Sequence, residues 1–237
     1  MEFTYLERGD PKGIPLVFLH GWLGSKEDFL PLIEALGDDY YCLAVDLPGH
    51  GGTPLFAEEE ELWMATIIKL GFFLRHQGLK KASFVGYSMG GRILLRFHEH
   101  FGHLVDQLFI LSSHLGGGEV EEEKWVKLLK EGDMDEFLLK WYAQPLFVTL
   151  RLDVQLLERR RRNDPEKLAK ALCGFSLRKQ RQYEAGERMW FFYGEHDVKD
   201  RELYKEIVSR QEIQGGGHAI HLEKPLQMAE LIKKLGR

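Results

Sequence analysis

A serine stands between glycines in the stretch Gly86-Tyr87-Ser88-Met89-Gly90, which follows an apolar run and precedes a segment of helical period. The G-x-S-x-G spacing between a strand and a helix is typical of a strained turn that raises the serine hydroxyl at the end of the strand. Glycines allow the close backbone contacts that such a turn requires. The pattern predicts a reactive serine at Ser88. The alternative is a glycine-rich turn that binds phosphate or has no ligand.

A serine hydroxyl reacts only when a histidine takes its proton and a carboxylate orients that histidine. Chains with this serine turn carry the three residues in the order serine, acid, histidine. Asp197 follows the apolar run MWFFYG, and His218 follows three glycines near the C-terminus. The sequence therefore predicts a triad of Ser88, Asp197 and His218. The alternatives are Glu195 for the acid and His196 or His221 for the histidine.

An oxyanion hole requires backbone N–H groups directed at developing negative charge. One is expected from Met89, directly after the serine. The other is expected from Trp22, in the loop HGWLG that follows the apolar run LVFL. His50 lies in the segment DLPGHG, whose turn-forming residues favour a structural role for it.

An arginine, Arg92, follows Ser88 by four residues and therefore lies one helical turn further on. A neutral ester substrate does not need a cation at this position. A carboxylate does, because the guanidinium group binds it with two parallel hydrogen bonds. The spacing favours a small anionic substrate, and the alternative for Arg92 is a surface ion pair.

The elements that must position these residues are strands and helices in alternation. Buried strands are expected at LVFLH, YYCLAVD, SFVGYS, QLFILSS and MWFFYG, after a first strand at FTYLE. Helices are expected at about 26–36, 58–77, 89–101 and 201–208, with a last helix from Pro225 and a weak strand at about 209–213. This alternation predicts a parallel sheet that is covered on both faces.

The alternation stops between about residues 119 and 184, where the chain is charged, has helical period and contains no convincing strand. An all-helical block between two sheet strands predicts a lid over the carboxyl edge of the sheet, where such folds bind ligands. The expected organisation is a core of residues 1–114 and 186–237 with a helical lid insertion at 115–185.

Composition excludes several classes of function. The 237 residues are 44% hydrophobic and 29% charged, with a net charge of −5, so no general positive field attracts nucleic acid or an anionic membrane. No apolar run reaches the roughly 20 residues of a spanning helix. Cys42 and Cys173 lack metal-type spacing. No signal-peptide pattern begins the sequence, so a cytoplasmic protein is expected, and the sequence does not specify its oligomeric state.

The motifs LHGWLG, DLPGHG, GYSMGG, GEHD and GGGHAIHLEKP together resemble the α/β-hydrolase fold. This resemblance implies a mostly parallel central sheet flanked by helices, with an inserted helical lid. Within the insertion, FLLKWYAQPLFVTL and RRRRNDPEKLAKAL resemble the MenH family, the 2-succinyl-6-hydroxy-2,4-cyclohexadiene-1-carboxylate (SHCHC) synthases of menaquinone biosynthesis. The arginine of GYSMGGR also fits that family.

The resemblance implies a lyase without cofactor or metal, which eliminates pyruvate from a succinyl-hydroxycyclohexene-carboxylate precursor (SEPHCHC). In that family the serine and histidine act in proton abstraction rather than acyl transfer. The substrate-binding residues that the resemblance implies are Arg92, Tyr87, Trp141, Phe147 and, through the pattern Arg-x-x-Asn-x-Pro, Arg160. Trp141 and Phe147 could equally pack the lid on the core.

The chain departs from the family early in the lid, where family members carry a further basic residue. Here the segment HLGGGEVEEEKW is short and acidic, and Lys124 is its one cation. Either another arginine of the lid takes the place of that residue, or the substrate differs. A carboxylesterase or thioesterase with the same triad, acting on a small acyl ester, is the alternative function.

Overall fold

The computed structural model describes residues 3–117 and 122–236, and the described chain contains seven strands in one sheet. The strands are β1 (Tyr5–Arg8), β2 (Ile14–Leu19), β3 (Tyr40–Val45), β4 (Ala82–Tyr87), β5 (Val105–Leu111), β6 (Met189–Gly194) and β7 (Arg210–Ile213). Their order across the sheet is β1-β3-β2-β4-β5-β6-β7. β1 pairs antiparallel with β3, and the other pairs are parallel.

The central strands are apolar on both faces because both faces are covered. All six residues of β3 are buried, as a parallel strand between helix layers requires. Leu19 of β2 pairs with Val45 on one side and Gly86 on the other. The carboxyl ends of three neighbouring strands are thus level, so the loops after them meet at one edge of the sheet.

The helices form two layers and an insertion. They are α1 (Leu30–Leu36), α2 (Leu62–His76), α3 (Met89–Phe101), α4 (Glu122–Glu131), α5 (Met134–Tyr142), α6 (Val154–Arg161), α7 (Pro165–Gly174), α8 (Val198–Leu203), α9 (Ile220–Glu223) and α10 (Pro225–Leu235). Leu70 of α2 and Phe97 of α3 belong to the core on one sheet face. Leu32 of α1 and Ile232 of α10 belong to the core on the other.

None of the helices in residues 3–117 and 122–236 is long and apolar enough to cross a membrane.

Three predicted helices have different bounds in the structure. The segment expected at 26–36 begins as a 3₁₀ turn, Lys26–Phe29, and continues as α1. The helix expected from residue 58 begins at Leu62. The helix expected at 201–208 is α8, which begins at Val198 because the Asp197 side chain accepts the Asp200 N–H and caps it.

The insertion between β5 and β6 contains α4 to α7, and its described residues form no strand. Its own core includes Leu129, Phe137 and Leu168, which pack with Leu23 from the loop after β2. The chain enters the insertion through Gly116 and Gly117, which the structure describes, whereas Gly118 and residues 119–121 lie outside the described residues. The insertion therefore packs on the same edge of the sheet at which the strand ends meet.

Candidate active site

Ser88 occupies a strained backbone conformation between β4 and α3. Its φ of 49° and ψ of −111° are uncommon for a residue with a side chain. Its N–H donates to the Leu111 carbonyl at 2.9 Å, and its carbonyl accepts from Ser113 Oγ at 2.7 Å. These two hydrogen bonds fix both the N–H and the carbonyl of Ser88 in the turn.

Two glycines of the motif are required by close packing. A Cβ on Gly90 would lie 2.1 Å from the Leu19 carbonyl oxygen, and a Cβ on Gly86 would lie 2.7 Å from the Gly91 Cα. Real Cβ atoms do not approach backbone so closely. Helix α3 therefore begins directly against β2 and β4, with Ser88 at the carboxyl edge of the sheet.

His218 and Asp197 form a hydrogen-bonded pair, with His218 Nδ1 2.6 Å from Asp197 Oδ2. Burial alone would lower the pKa of His218, but the hydrogen bond that His218 donates to Asp197 and the negative charges of Asp200 and Asp197 raise it above the ordinary value. Burial would raise the pKa of Asp197, and the same hydrogen bond instead lowers it. Asp197 thus remains ionised while its histidine becomes a stronger base.

The loop that carries His218 is fixed by two other carboxylates. Glu195 accepts the Gly215 N–H at 2.8 Å, so this alternative acid holds the loop backbone rather than the imidazole. Glu223 accepts the Gly217 and Ala219 N–H groups. The His218 ring lies 5.4 Å from the Tyr87 ring, which places it beside the serine turn.

The two alternative histidines lie in different surroundings. His196 is exposed. His221 is fully buried against the rings of Tyr87 and Phe29, and neither of its ring nitrogens has a hydrogen-bond partner in the described structure. Burial lowers the pKa of His221 to about 3, so it stays neutral. Of the three histidines, His218 is the one that the described structure places against a carboxylate.

The expected oxyanion residues lie on either side of Ser88. A Cβ on Gly21 would lie 3.4 Å from Ser88 Cβ, so the loop that contains Trp22 runs beside the serine. Met89 is the first residue of α3, where the helix dipole favours negative charge. Within the described residues, neither the Trp22 nor the Met89 backbone N–H donates to another protein group. Both are thus available to an oxyanion.

Two buried histidines hold the Trp22 loop. His20 Nε2 accepts the Leu47 N–H at 2.9 Å, and His50 Nε2 accepts the Leu23 N–H at 3.2 Å. Burial lowers the pKa of both, that of His50 to about 3. These neutral rings link the loops after β2 and β3, in agreement with the structural role expected for His50.

Arg92 is held by neutral groups. Its Nη1 donates to the Phe175 carbonyl at 2.7 Å and lies 3.4 Å from Gln180 Oε1, and the guanidinium group lies 5.7 Å from the Trp63 ring centroid. No described carboxylate lies within 4.0 Å of it, so the surface ion pair is not formed. Burial lowers its pKa to about 10, which leaves it charged at neutral pH. The sequence did not indicate Phe175 or Gln180 as its partners.

Arg160 has a different environment. Its Nη1 and Nη2 donate to the two oxygens of Asp28 at 3.1 and 2.7 Å, and its Nε donates to the Tyr142 hydroxyl at 2.9 Å. Asn163, from the same sequence pattern, donates to the Leu23 carbonyl at 3.1 Å. Both residues therefore join the insertion to the core. Asp28 is 132 residues away in the chain and carried no signal in the sequence.

Trp141 and Phe147, the two aromatic residues of the insertion that were expected at the substrate, lie against the core near His218 and Trp22. The Phe147 ring is 6.0 Å from the His218 ring. The Trp141 ring is 5.9 Å from that of Phe147 and 4.6 Å from that of Trp22. Trp22 Nε1 also donates to the Leu168 carbonyl of α7. Phe147 can therefore contact a ligand at His218, while Trp141 packs on the loop that contains Trp22.

A second carboxylate near His218 was missed in the sequence. Asp200 is buried, and its Oδ2 lies 3.7 Å from His218 Nδ1. Burial and the charge of Asp197 raise the pKa of Asp200 to about 7. Its position three residues after Asp197, in the first turn of α8, was the available signal. Ligand-type atoms of the side chains of Asp197, Asp200 and His218 lie within 4.8 Å of one another, and the 2.6 Å contact between His218 and Asp197 is the hydrogen bond within this cluster.

The chain is similar to known proteins along almost its whole length. Residues 14–189 match the family model described as alpha/beta hydrolase fold. A Haemophilus influenzae protein named putative 2-succinyl-6-hydroxy-2,4-cyclohexadiene-1-carboxylate synthase is 30% identical over 244 residues, which cover 93% of this chain and 96% of that one. The synthase of that name from Enterobacter sp. is 29% identical, with 97% and 95% covered. The structure of MenH from S. aureus has the same fold, with a TM-score of 0.84 at 24% identity over 100% of this chain and 99% of that one.

Proposed function

Because the chain belongs to the alpha/beta hydrolase fold family, we propose that it uses the serine turn of that fold for SHCHC synthase chemistry in menaquinone biosynthesis. The reaction is elimination of pyruvate from SEPHCHC. The observation that carries the proposal is Arg92, a charged side chain one helical turn after Ser88 that contacts no carboxylate among the described residues. The similarity to proteins named as SHCHC synthases supports the same reaction.

The triad supplies the base. Ser88 Oγ removes a proton from a carbon of the substrate while its own proton passes to His218. Asp197 holds His218 through Nδ1, which directs the other ring nitrogen to the serine and stabilises the imidazolium. The electron pair of the broken C–H bond forms the new double bond, the C–O bond to the enolpyruvyl group breaks, and pyruvate leaves after it gains a proton.

The other site residues bind and stabilise charge. Arg92 holds a substrate carboxylate, and Tyr87 and Phe147 flank the reacting ring beside His218. The N–H groups of Trp22 and Met89 stabilise the negative charge that develops on an oxygen when the proton is removed. Trp141 supports Trp22, and Arg160 fixes the insertion through Asp28. The reaction needs a base, a proton donor and anion-binding groups, which side chains supply, so we propose that no cofactor takes part.

The insertion has the position of a lid in this proposal. Phe147 faces His218, and Thr149 lies so close to the histidine loop that a Cβ on Gly217 would be 2.0 Å from its Oγ1. Residues 115–185 would then open for the substrate, and residues 1–114 and 186–237 would form the core. A cytoplasmic location belongs to the same proposal.

The test is to incubate the purified protein with SEPHCHC and to measure pyruvate release, with a nitrophenyl ester in a parallel assay. Pyruvate release that Ser88→Ala abolishes supports the proposal. Ester hydrolysis without pyruvate release contradicts it.

One observation favours the second candidate, a carboxylesterase or thioesterase for a small acyl ester. Several cations of the insertion are already paired with acids: Arg160 with Asp28, Arg161 with Asp135 and Arg178 with Glu123. A substrate with several carboxylates would therefore find few free charges on the insertion. In a hydrolase the same triad attacks the acyl carbonyl and forms an acyl-enzyme. The parallel assay separates the two reactions.

A further inference from the structure

Asp200 is a buried carboxylate to which the proposed mechanism assigns no task. The residue lies in the first turn of α8, and its side chain is 4% exposed. One of its oxygens, Oδ2, has no hydrogen-bond partner in the described structure and lies 3.7 Å from His218 Nδ1. A buried, unpartnered carboxylate oxygen is costly unless a charge compensates it. The nearest group that can carry such a charge is His218.

We propose that Asp200 is a second carboxylate for His218, a positioning residue that stabilises the protonated imidazole from its Nδ1 side. The proposal rests on the base role of His218 in the proposed function. Asp197 holds the hydrogen bond to Nδ1, and Asp200 adds a negative charge without occupying that bond.

The physical basis is the charge that His218 acquires when it takes the serine proton. An imidazolium is poorly solvated in a buried site, and a carboxylate within 4 Å lowers its free energy more than it would in water. While His218 is neutral, two ionised carboxylates side by side would repel each other. Burial and the charge of Asp197 accordingly raise the pKa of Asp200 to about 7, so Asp200 holds a proton in part of the molecules. Protonation of His218 then favours the ionised form of Asp200.

Other charged groups face this cluster and modify the effect. Lys199 precedes Asp200 on α8, is exposed, and lowers the pKa of both His218 and Asp200. The Tyr204 hydroxyl, one turn further along the chain, donates to the Ser113 carbonyl and therefore does not compensate Asp200. Asp197 reaches the cluster from the loop after β6, and His218 from the loop after β7.

The proposal is tested by NMR titration of the His218 ring in the parent and in Asp200→Asn. The ten histidines of the chain make assignment necessary, and a His218→Gln sample provides it. Asn has the size of Asp and retains the backbone N–H that Asp197 caps, so α8 is preserved. We expect Asp200→Asn to lower the pKa of His218, because the stabilising charge is removed. If that variant does not fold, Asp200→Ser is measured in its place.

Glu202→Gln provides the matched control, since it removes one negative charge from the exposed face of the same helix. It is expected to leave the pKa of His218 unchanged. An unchanged His218 pKa in the Asp200 variant, or an equal shift in both variants, overturns the proposal.

A kinetic measurement distinguishes this role from a merely structural one. In Asp200→Asn, the acid limb of the kcat/KM profile should move to lower pH, while KM stays at the parent value because Asp200 does not reach the substrate. The NMR test needs no turnover. If the protein releases no pyruvate, the proposed function is wrong. The NMR titration still shows whether Asp200 raises the pKa of His218.

Discussion

Ser88 keeps a strained backbone conformation because its N–H donates to the Leu111 carbonyl and its carbonyl accepts from the Ser113 hydroxyl. The strain accompanies the position of Ser88 at the end of β4, directly before α3, and strained residues of this kind cluster at functional sites. His218 reaches the same edge of the sheet on a separate loop, already oriented by Asp197. At the scale of residues, the site therefore consists of parts that are fixed before a substrate binds.

We predict that Ser88→Ala retains the fold and loses nearly all turnover, because triad residues act as a unit and loss of the serine or the histidine has cost on the order of 10⁶ in kcat in a serine protease. His218→Ala should be equally severe. His196→Ala is the control, since His196 is exposed, and it should retain parent activity. Circular dichroism verifies the fold. If Ser88→Ala kept activity within tenfold of the parent, the assignment of Ser88 to a catalytic triad would be wrong.

Arg92→Ala is expected to reduce kcat/KM for the anionic substrate about ten- to over a hundredfold, because a charge-assisted hydrogen bond is worth roughly 1.5–3 kcal/mol. Arg92→Lys should recover only part of the loss, since an ammonium group cannot form two parallel bonds. Hydrolysis of a small neutral ester should scarcely change.

Arg96→Ala is the matched control for this prediction. Arg96 lies one turn further along α3 and also over the Trp63 ring, at 5.6 Å, so its loss reports damage to the helix surface without loss of the anion contact. Equal effects of the two alanine variants on kcat/KM would show that Arg92 is structural.

At the scale of elements, the insertion is joined to the core by a buried ion pair. Arg160 of α6 binds both oxygens of Asp28, and both side chains are almost fully buried. The charge of Arg160 lowers the pKa of Asp28 against the effect of burial.

We predict that Arg160→Met destabilises the protein by about 3–5 kcal/mol, because it leaves Asp28 as a buried charge without its main partner. Urea denaturation measures the loss. Hydrogen exchange should show faster exchange in α5 to α7 and unchanged exchange in the central strands.

The double variant Asp28→Asn with Arg160→Met should recover much of the stability. A single variant that is as stable as the parent but has a raised KM would instead assign Arg160 to the substrate.

The alternation of strands and helices was predictable from sequence because buried parallel strands are continuous apolar runs, as in β3. The start of α8 was placed three residues too late, since its position depends on a cap from Asp197 and not on apolar period. Ser88, Asp197 and His218 could be proposed from motif order. The contacts of Arg160 with Asp28 and of Arg92 with Phe175 could not be proposed from the sequence. The partners are separated by 132 and 83 positions in the chain, and their contacts depend on the folded insertion.

At the scale of the whole molecule, three buried histidines make stability depend on pH. Burial lowers the pKa values of His20, His50 and His221, the last two to about 3. In the unfolded chain a histidine has a pKa of about 6.5. The unfolded state therefore binds protons that the folded state does not. The stability that neutral histidines contribute is complete above about pH 6.5 and is lost as the pH falls toward the folded values.

His221 offers the sharpest test of this dependence, because neither of its ring nitrogens has a hydrogen-bond partner in the described structure and its ring packs against Phe29 and Tyr87. We predict that His221→Leu retains or increases the free energy of unfolding at pH 7. Between pH 7 and pH 5 the parent should lose about 2 kcal/mol more than the variant, which is the linkage expected for one histidine whose pKa falls from about 6.5 to about 3.

The measurement is urea denaturation of parent and variant at pH 7, 6 and 5, so that the other titrating groups, which include Asp200, cancel in the difference. His76→Leu is the control, since His76 is exposed at the end of α2 and should leave the pH dependence as it is in the parent. Parallel loss of stability in parent and His221→Leu would mean that His221 accepts a proton in the folded protein. The neutral state that burial gives His221 would then no longer set it apart from His218 as a candidate base for Ser88.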